Sequence, residues 1–127
     1  MKDKLYRVSI PYVLPGENEI IKAAKQGRGK FNGYGRMKKE HTGNIAMLIR
    51  EAGIPSMESV FVNICWVEPN RRRDKDNIDA GKKFIFDALV KAGIIKNDGW
   101  GEITGWHSSF TVNKQSPGVI FSVSQIG

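Results

Sequence analysis

The sequence predicts an α+β domain: one mixed β-sheet of about four strands with two main helices packed on it. Three observations support this prediction. Apolar residues alternate near both ends of the chain, helical apolar periods lie between them, and glycine or proline separates the segments. With 127 residues the chain is expected to form one domain, residues 1–127, because that length can bury one core but not two.

The first half is predicted to contain one strand and two helices. Lys4–Val13 reads as a strand that ends near a proline, and Glu17–Ala24 as a short helix. The glycine-rich, unpatterned segment Gln26–Arg36 is predicted to be a loop. Met37–Ala52 has apolar residues at helical spacing and is followed by Gly53, a typical helix stop.

The second half is predicted to contain three strands and the second main helix. Ser59–Glu68 alternates and is apolar on both faces, so we expect a central, covered strand. Asn77–Ala92 carries a helical apolar stripe that ends at a glycine. Ile103–Val112 and Gly118–Ile126 read as strands joined by a turn.

Composition indicates a polyanionic partner. Twenty basic residues against thirteen acidic ones give a formal charge of +7 and a pI of about 9.7. No apolar run is long enough for a signal peptide or a membrane span, so we expect no membrane association. Cys65 is the only cysteine, which agrees with a reducing compartment. We therefore expect a cytoplasmic protein that binds nucleic acid.

Three aspartates form the candidate metal site. Asp74 and Asp76 are two residues apart, Asp98 follows twenty-two residues later, and three arginines precede the pair. Side chains two apart in an extended segment point the same way. Oxygen-only ligands suit Mg²⁺, which keeps several waters and also binds substrate phosphate. The pattern predicts a metal-dependent enzyme that acts on a phosphodiester.

Simpler explanations exist for each aspartate alone. The pair could be a solvated cluster that forms local ion pairs with the arginines, and Asp76 could be a helix N-cap. A calcium loop counted from Asp74 fails, because it requires glycine where Asp79 stands and glutamate where Ile85 stands. No nucleotide-binding glycine loop and no zinc-spaced cysteine or histidine cluster is present.

Convergence of the three aspartates imposes a condition on the chain. A helix from Ala80 to Ala92 is about 18 Å long, and the six residues from Gly93 to Asp98 span at most about 20 Å. We therefore expect residues Gly93–Lys96 to return antiparallel to the helix.

Two lysines on that helix are candidates for a catalytic role. Lys83 could pair with Asp79 or Asp87 at a spacing of four residues, or its ammonium group could reach a scissile phosphate. Lys82 stands beside it, and the sequence leaves open which lysine is functional.

A second basic region lies upstream. From Lys22 to Lys39 the chain has seven basic residues and no acidic one, interleaved with Phe31 and Tyr34, which could stack on bases. The residues predicted to contact DNA are Arg71, Arg72, Arg73, Lys82, Lys30, Arg36, Lys38 and Lys39.

Together these residues resemble the RusA-type Holliday junction resolvase family, small endodeoxyribonucleases common in phages and prophages. The likeness lies in RRDKDN at 72–77, KKFIFDAL at 82–89 and the final ND of GIIKND, with weaker similarity in LPGENEII and YGRMKKE. The resemblance implies a homodimer that binds Mg²⁺, with Mn²⁺ as a substitute, through Asp74, Asp76 and Asp98. It matches the family lysine to Lys83. Where relatives often have two late acids, this chain has Asn97 and Asp98.

The expected function is therefore resolution of four-way DNA junctions by paired symmetric nicks, through hydrolysis by metal-activated water. Two alternatives stay open. One is a branched-DNA-binding protein without useful cleavage, and the other is a less selective metal-dependent nuclease that also cuts duplex DNA or RNA.

Overall fold

The computed structural model describes residues 4–27 and 33–125. Within them the chain forms four strands and four helices. In chain order these are β1 (Leu5–Ile10), α1 (Glu17–Ala24), α2 (Gly33–Glu51), β2 (Val60–Glu68), α3 (Lys75–Asp79), α4 (Lys82–Lys91), β3 (Ile103–Val112) and β4 (Gly118–Gln125).

The four strands form one mixed sheet in the order β1-β4-β2-β3. β4 runs antiparallel to both β1 and β2, whereas β3 runs parallel to β2. The β2–β3 connection holds α3 and α4, as a parallel pair requires a crossover. The predicted α+β class with one mixed four-stranded sheet is confirmed, and β2 is an internal strand as predicted.

The core lies between one face of this sheet and the helices. Val60, Val62, Ile64 and Trp66 project from β2 into it and are at most 1% exposed. The opposite face of β2 is only partly covered, because Phe61 and Cys65 are half-buried and Asn63 is exposed. The prediction of cover on both faces therefore holds in part.

Two helix boundaries differ from the prediction. α2 begins at Gly33, so the last four residues of the predicted loop are helical. The predicted helix Asn77–Ala92 is two helices, with Ala80 and Gly81 between them. Gly81 lies so close to the chain that a Cβ there would be 3.0 Å from the Pro15 carbonyl oxygen and 3.2 Å from Trp66 Cη2. This close approach favours glycine at the break, since a larger residue would make its neighbours shift.

The parallel strands give the sheet two distinct ends. At the carboxyl end β2 leaves through Glu68 towards α3, and the amide of Asn113, just after β3, donates to the Glu68 carbonyl at 2.9 Å. At the amino end the amide of Val60 donates to the Glu102 carbonyl at 2.8 Å. The ten residues of β3 separate these ends by about 30 Å.

Within the ranges 4–27 and 33–125, no helix combines the length and the hydropathy needed to cross a bilayer.

Candidate metal and nucleic-acid site

A cavity of about 830 Å³ opens at the carboxyl end of β2 and β3. The loop after β2, the start of α3 and the end of β3 form its walls. The lining residues are Glu68, Asn70, Arg71, Arg73, Asp74, Lys75, Asp76, Ile78, Phe110, Thr111 and Val112. Acidic and basic side chains therefore share one open surface.

Asp74 and Asp76 both line this cavity, and both are exposed. Asp74 occupies the N-cap position of α3 in an extended conformation, but its side chain makes no capping hydrogen bond. Asp76 lies in the first turn, where its Oδ1 accepts the Asn77 amide at 3.0 Å. The alternative that Asp76 is the N-cap is wrong. Among the described residues no ion pair occupies either carboxylate.

Arg73 anchors the loop that carries the two aspartates. Its Nε and Nη2 donate to the two carboxylate oxygens of Glu68 at 2.9 and 2.8 Å. Its Nη1 donates to Glu19 at 2.9 Å and to the Leu14 carbonyl at 3.1 Å. The hydrogen bond to Glu68, followed by the other carboxylate contacts, raises the pKa of Arg73 despite burial. Arg73 therefore supports the loop, and its predicted contact with DNA stays a prediction.

Glu19 supports the loop from the N-terminal segment. Burial alone would raise its pKa, but the Gly16 amide at 2.8 Å and the Arg73 guanidinium hold the pKa below its usual value. The carboxylate is therefore ionised near neutral pH, and α1 is tied to the loop that bears Asp74 and Asp76.

A second contact joins the same segments. The Asn18 amide donates to Asn77 Oδ1 at 2.8 Å, and Asn77 is buried. Gly16 packs against Asn77 so tightly that an added Cβ would lie 2.5 Å from the Asn77 carbonyl oxygen. The LPGEN segment thus fixes the chain directly after the aspartate pair.

Asp98 lies at the other end of the sheet. It is exposed, and it precedes β3 by one turn, in which the Ile103 amide donates to the Gly99 carbonyl at 3.1 Å. The segment after α4 stays at the amino end of the sheet, because the Met57 amide, three residues before β2, donates to the Ile94 carbonyl at 2.7 Å. The predicted antiparallel return towards the aspartate pair is therefore wrong. Since the chain enters a strand parallel to β2, Asp98 stays at the amino end, on the order of 30 Å from the carboxyl-end cavity.

The lysines on α4 have different surroundings. Lys82 Nζ pairs with Asp79 at 3.1 Å and lies 5.2 Å from the centre of the Trp106 ring. The Asp79 carboxylate also accepts from Ser108. Lys83 is exposed and does not line the cavity. The alternative pairing of Lys83 with Asp79 or Asp87 is not formed among the described residues, where Lys82 pairs with Asp79 and Lys38 with Asp87.

The residues predicted to contact DNA differ in their surroundings. Arg71 and Arg72 are exposed beside the aspartate pair, and Arg36 and Lys39 are exposed on α2. Lys38 Nζ is 3.6 Å from the Asp87 carboxylate, which leaves it only partly available. The prediction for Lys30 lies outside the described residues, as does that for the stacking residue Phe31.

α1 links the two basic regions. Its first turn contacts the aspartate-bearing loop through Glu19, and the Gln26 carbonyl just beyond its end accepts the Gly33 amide at 2.7 Å. An eight-residue helix is about 12 Å long. The start of α2 is therefore close enough to Arg71 and Arg72 for one DNA strand to contact both basic regions.

The donor set at the cavity suits Mg²⁺, although it is small. In residues 4–27 and 33–125, no group of three or more His, Cys, Asp or Glu side chains is placed to hold a metal ion. Mg²⁺ commonly takes only one or two protein carboxylates and completes its shell with water and substrate phosphate. Asp74 and Asp76 meet that minimum.

Comparison with known proteins adds no family. No family model matches this chain, and no curated protein does. The resemblance to RusA-type resolvases therefore depends on the motif residues alone.

Sequence reasoning missed three residues of this site. Lys75 stands between the aspartates, lines the cavity and lies 5.9 Å from the centre of the Phe110 ring. Glu68 and Glu19 hold Arg73. One signal was available for Glu68, since an acid that ends an apolar strand directly before an arginine run needs a partner.

Proposed function

We propose that the chain is a Mg²⁺-dependent endodeoxyribonuclease that nicks branched DNA, with four-way junctions as its substrate. One observation supports this most directly. Asp74 and Asp76 present carboxylates that form no ion pair with any described residue, in a single open cavity that also contains Arg71 and Lys75. Exposed acids beside cations are typical of a site that binds phosphate through a metal ion, and less typical of residues that only stabilise the fold.

Each side chain has a distinct role in the proposal. Asp74 and Asp76 supply oxygen ligands, and a bound Mg²⁺ would activate water and stabilise charge on the phosphate. Lys75 lines the cavity and Lys83 does not, so the electrostatic role moves from Lys83 to Lys75. Arg71 and Arg72 hold the DNA backbone.

The resolvase motif supports a branched substrate, and the position of the basic residues agrees with one. Exposed cations flank the cavity and continue through α1 to the start of α2. A net charge of +7 favours binding to the dense phosphates where DNA arms meet.

The test is a nicking assay on a labelled synthetic four-way junction, with Mg²⁺, with Mn²⁺ and with EDTA. We expect nicks with either metal and none with EDTA. Asp76→Asn should reduce nicking about 100-fold or more, because it removes an anionic ligand of the metal ion. It should leave junction binding intact. Glu51→Gln, which removes an exposed acid at the end of α2, is the matched control. Absence of nicks under all metal conditions would refute the proposed nuclease activity.

A second candidate is a junction-binding protein that does not cut. The distance of Asp98 from the aspartate pair favours it, since in the described part of one chain the cavity holds only two carboxylates without an ion pair. Tight junction binding without nicks, in Mg²⁺ and in EDTA alike, would establish this candidate. Equal rates on duplex DNA or RNA would instead indicate a less selective nuclease.

A further inference from the structure

The cavity at the carboxyl end of the sheet has two kinds of lining. One group of residues is charged and exposed, and the proposed hydrolysis uses this group alone: Arg71, Asp74, Lys75 and Asp76. The other group is apolar and has no role in that chemistry: Ile78, Phe110 and Val112. The apolar group therefore needs a ligand or a function of its own.

The apolar group extends from the core to solvent. Ile78, on α3, is 3% exposed and belongs to the core. Phe110 is half-buried and packs against the core, whereas Val112 is 46% exposed. Phe110 and Val112 project from the same side of β3, because side chains of a strand alternate. Together they form an open apolar surface beside the charged residues.

The cavity is also larger than a metal ion and a phosphate require. A water molecule takes about 30 Å³ in the liquid, so Mg²⁺ with six waters occupies about 200 Å³. The cavity measures about 830 Å³, and pockets of about 300–1,000 Å³ commonly bind small organic molecules. Its volume leaves room for a nucleobase beside a metal-bound phosphate.

Lys75 joins the charged and the apolar lining. Its Cα is one residue, about 3.8 Å, from the Cα atoms of Asp74 and Asp76. Its Nζ lies 5.9 Å from the centre of the Phe110 ring. One lysine side chain therefore covers most of the distance from the aspartates to the ring, which is comparable with the length of a single nucleotide.

We propose that the cavity takes in one unstacked nucleotide of the DNA, with its base on Phe110 and its phosphate at Asp74 and Asp76. A base stacked on an aromatic ring is held more strongly than an exposed lysine is held on phenylalanine. The base can therefore displace the Lys75 ammonium group from the ring. The ammonium group then stays beside the phosphate, where the proposed hydrolysis needs a cation.

This contact selects branched DNA, and in that sense it rests on the proposed function. Within a duplex every base is stacked and paired, so extruding one costs free energy, and the cost is least for a base that is already poorly paired. Such bases occur where the arms of a junction meet. Phe110 is then a residue that determines specificity and not a catalytic one.

The test uses four-way junctions that carry 2-aminopurine, an adenine analogue whose fluorescence is quenched by stacking, at each position next to the crossover. All proteins carry Asp76→Asn, and Mg²⁺ is present, so that the junction is bound but not cut. We expect the emission from one position to rise several-fold on binding. Phe110→Leu keeps the apolar bulk without the ring and should give little rise at equal saturation, whereas Phe110→Tyr should retain the rise.

Phe61→Leu is the matched control, because Phe61 is a half-buried phenylalanine of the same sheet that lies outside the cavity. It should give the same rise as the protein with both phenylalanines. Circular dichroism of each variant confirms that it is folded.

An abasic site at the responding position gives a second measurement, which needs no change at Phe110. Loss of the base should weaken binding about tenfold when Phe110 is present. It should hardly change the affinity of Phe110→Leu, because the base and the ring stabilise the complex through each other. Unchanged affinity of the Phe110 protein for the abasic junction would overturn the nucleotide pocket.

The outcomes separate this pocket from the nuclease activity. Junction binding without a rise at any position, or an equal rise with Phe110→Leu, would overturn the pocket and leave the nuclease proposal standing. A rise that depends on Phe110, in a protein that never nicks DNA even with Asp76 intact, would support the pocket and refute the nuclease. Failure to bind the junction would refute both.

Discussion

Arg73 donates to both carboxylate oxygens of Glu68, at 2.9 and 2.8 Å, and Glu68 is only 5% exposed. Removing one member of a buried pair leaves the other charge without compensation. We expect Arg73→Ala to lower the free energy of unfolding by about 3 kcal/mol in urea denaturation, given that Arg73 retains some contact with solvent. Arg72→Ala, at an exposed neighbour, should change it by less than about 0.5 kcal/mol. Equal effects would contradict a scaffold role for Arg73.

Gly16 tests how closely the N-terminal segment is packed on the loop that carries the aspartates. A methyl group there would be 2.5 Å from the Asn77 carbonyl oxygen, and backbone must move to admit it. We expect Gly16→Ala to destabilise the fold by about 1–3 kcal/mol and to reduce nicking. Gly43→Ala is the control, because its Cβ meets nothing within 4 Å and alanine favours a helix. Thermal unfolding of both variants would show opposite shifts.

Variants of three lysines show whether the catalytic lysine lies in the cavity or on α4. Lys75→Met should lower the nicking rate about tenfold or more with little loss of stability, since it removes a cation beside the aspartates. Lys83→Met should leave the rate nearly unchanged. Lys82→Met should mainly reduce stability, because it breaks the 3.1 Å pair with Asp79. A larger kinetic effect at Lys83 than at Lys75 would return the catalytic role to Lys83.

Salt dependence of junction binding tests the arginines before Asp74. Arg71→Ala with Arg72→Ala should weaken binding and make the slope of log affinity against log salt shallower by about 2, because each arginine is expected to neutralise one phosphate. Lys91→Ala, which removes an exposed charge at the end of α4, should leave the slope unchanged. An identical slope in the double variant and the wild type would exclude phosphate contact by these arginines.

His41 makes stability depend on pH. Its ring packs 5.9 Å from Tyr12 and 5.5 Å from Phe84, and burial lowers the pKa of His41 despite the nearby Glu40 carboxylate. The unfolded chain therefore binds a proton more readily than the folded one, so stability should fall as pH drops through the ordinary histidine range near 6.5. Urea denaturation between pH 8 and pH 5 should show this loss in the wild type and in His107→Gln, but much less of it in His41→Phe.

Local chemistry was sufficient to place the four strands and the aspartate pair. Each strand has an apolar pattern of period two, and the predicted β3, Ile103–Val112, has the observed bounds. Asp74 and Asp76 are close in sequence, so few conformations of the intervening residue can separate them. The break at Gly81 was missed, because glycine within an apolar stripe does not reveal the approach of Trp66.

Only the tertiary structure decided which charges are available and where the third aspartate lies. Arg71, Arg72 and Arg73 are identical in type, and burial of Glu68 beside one of them determines that Arg73 is a scaffold residue. The sequence by itself determined an α+β chain with a pair of acids among cations. The sequence could not place Asp98, because the residues before β3 can enter a parallel or an antiparallel strand at similar cost in free energy. Long-range pairing of β3 with β2 decides the strand direction, and therefore the end of the sheet at which Asp98 lies.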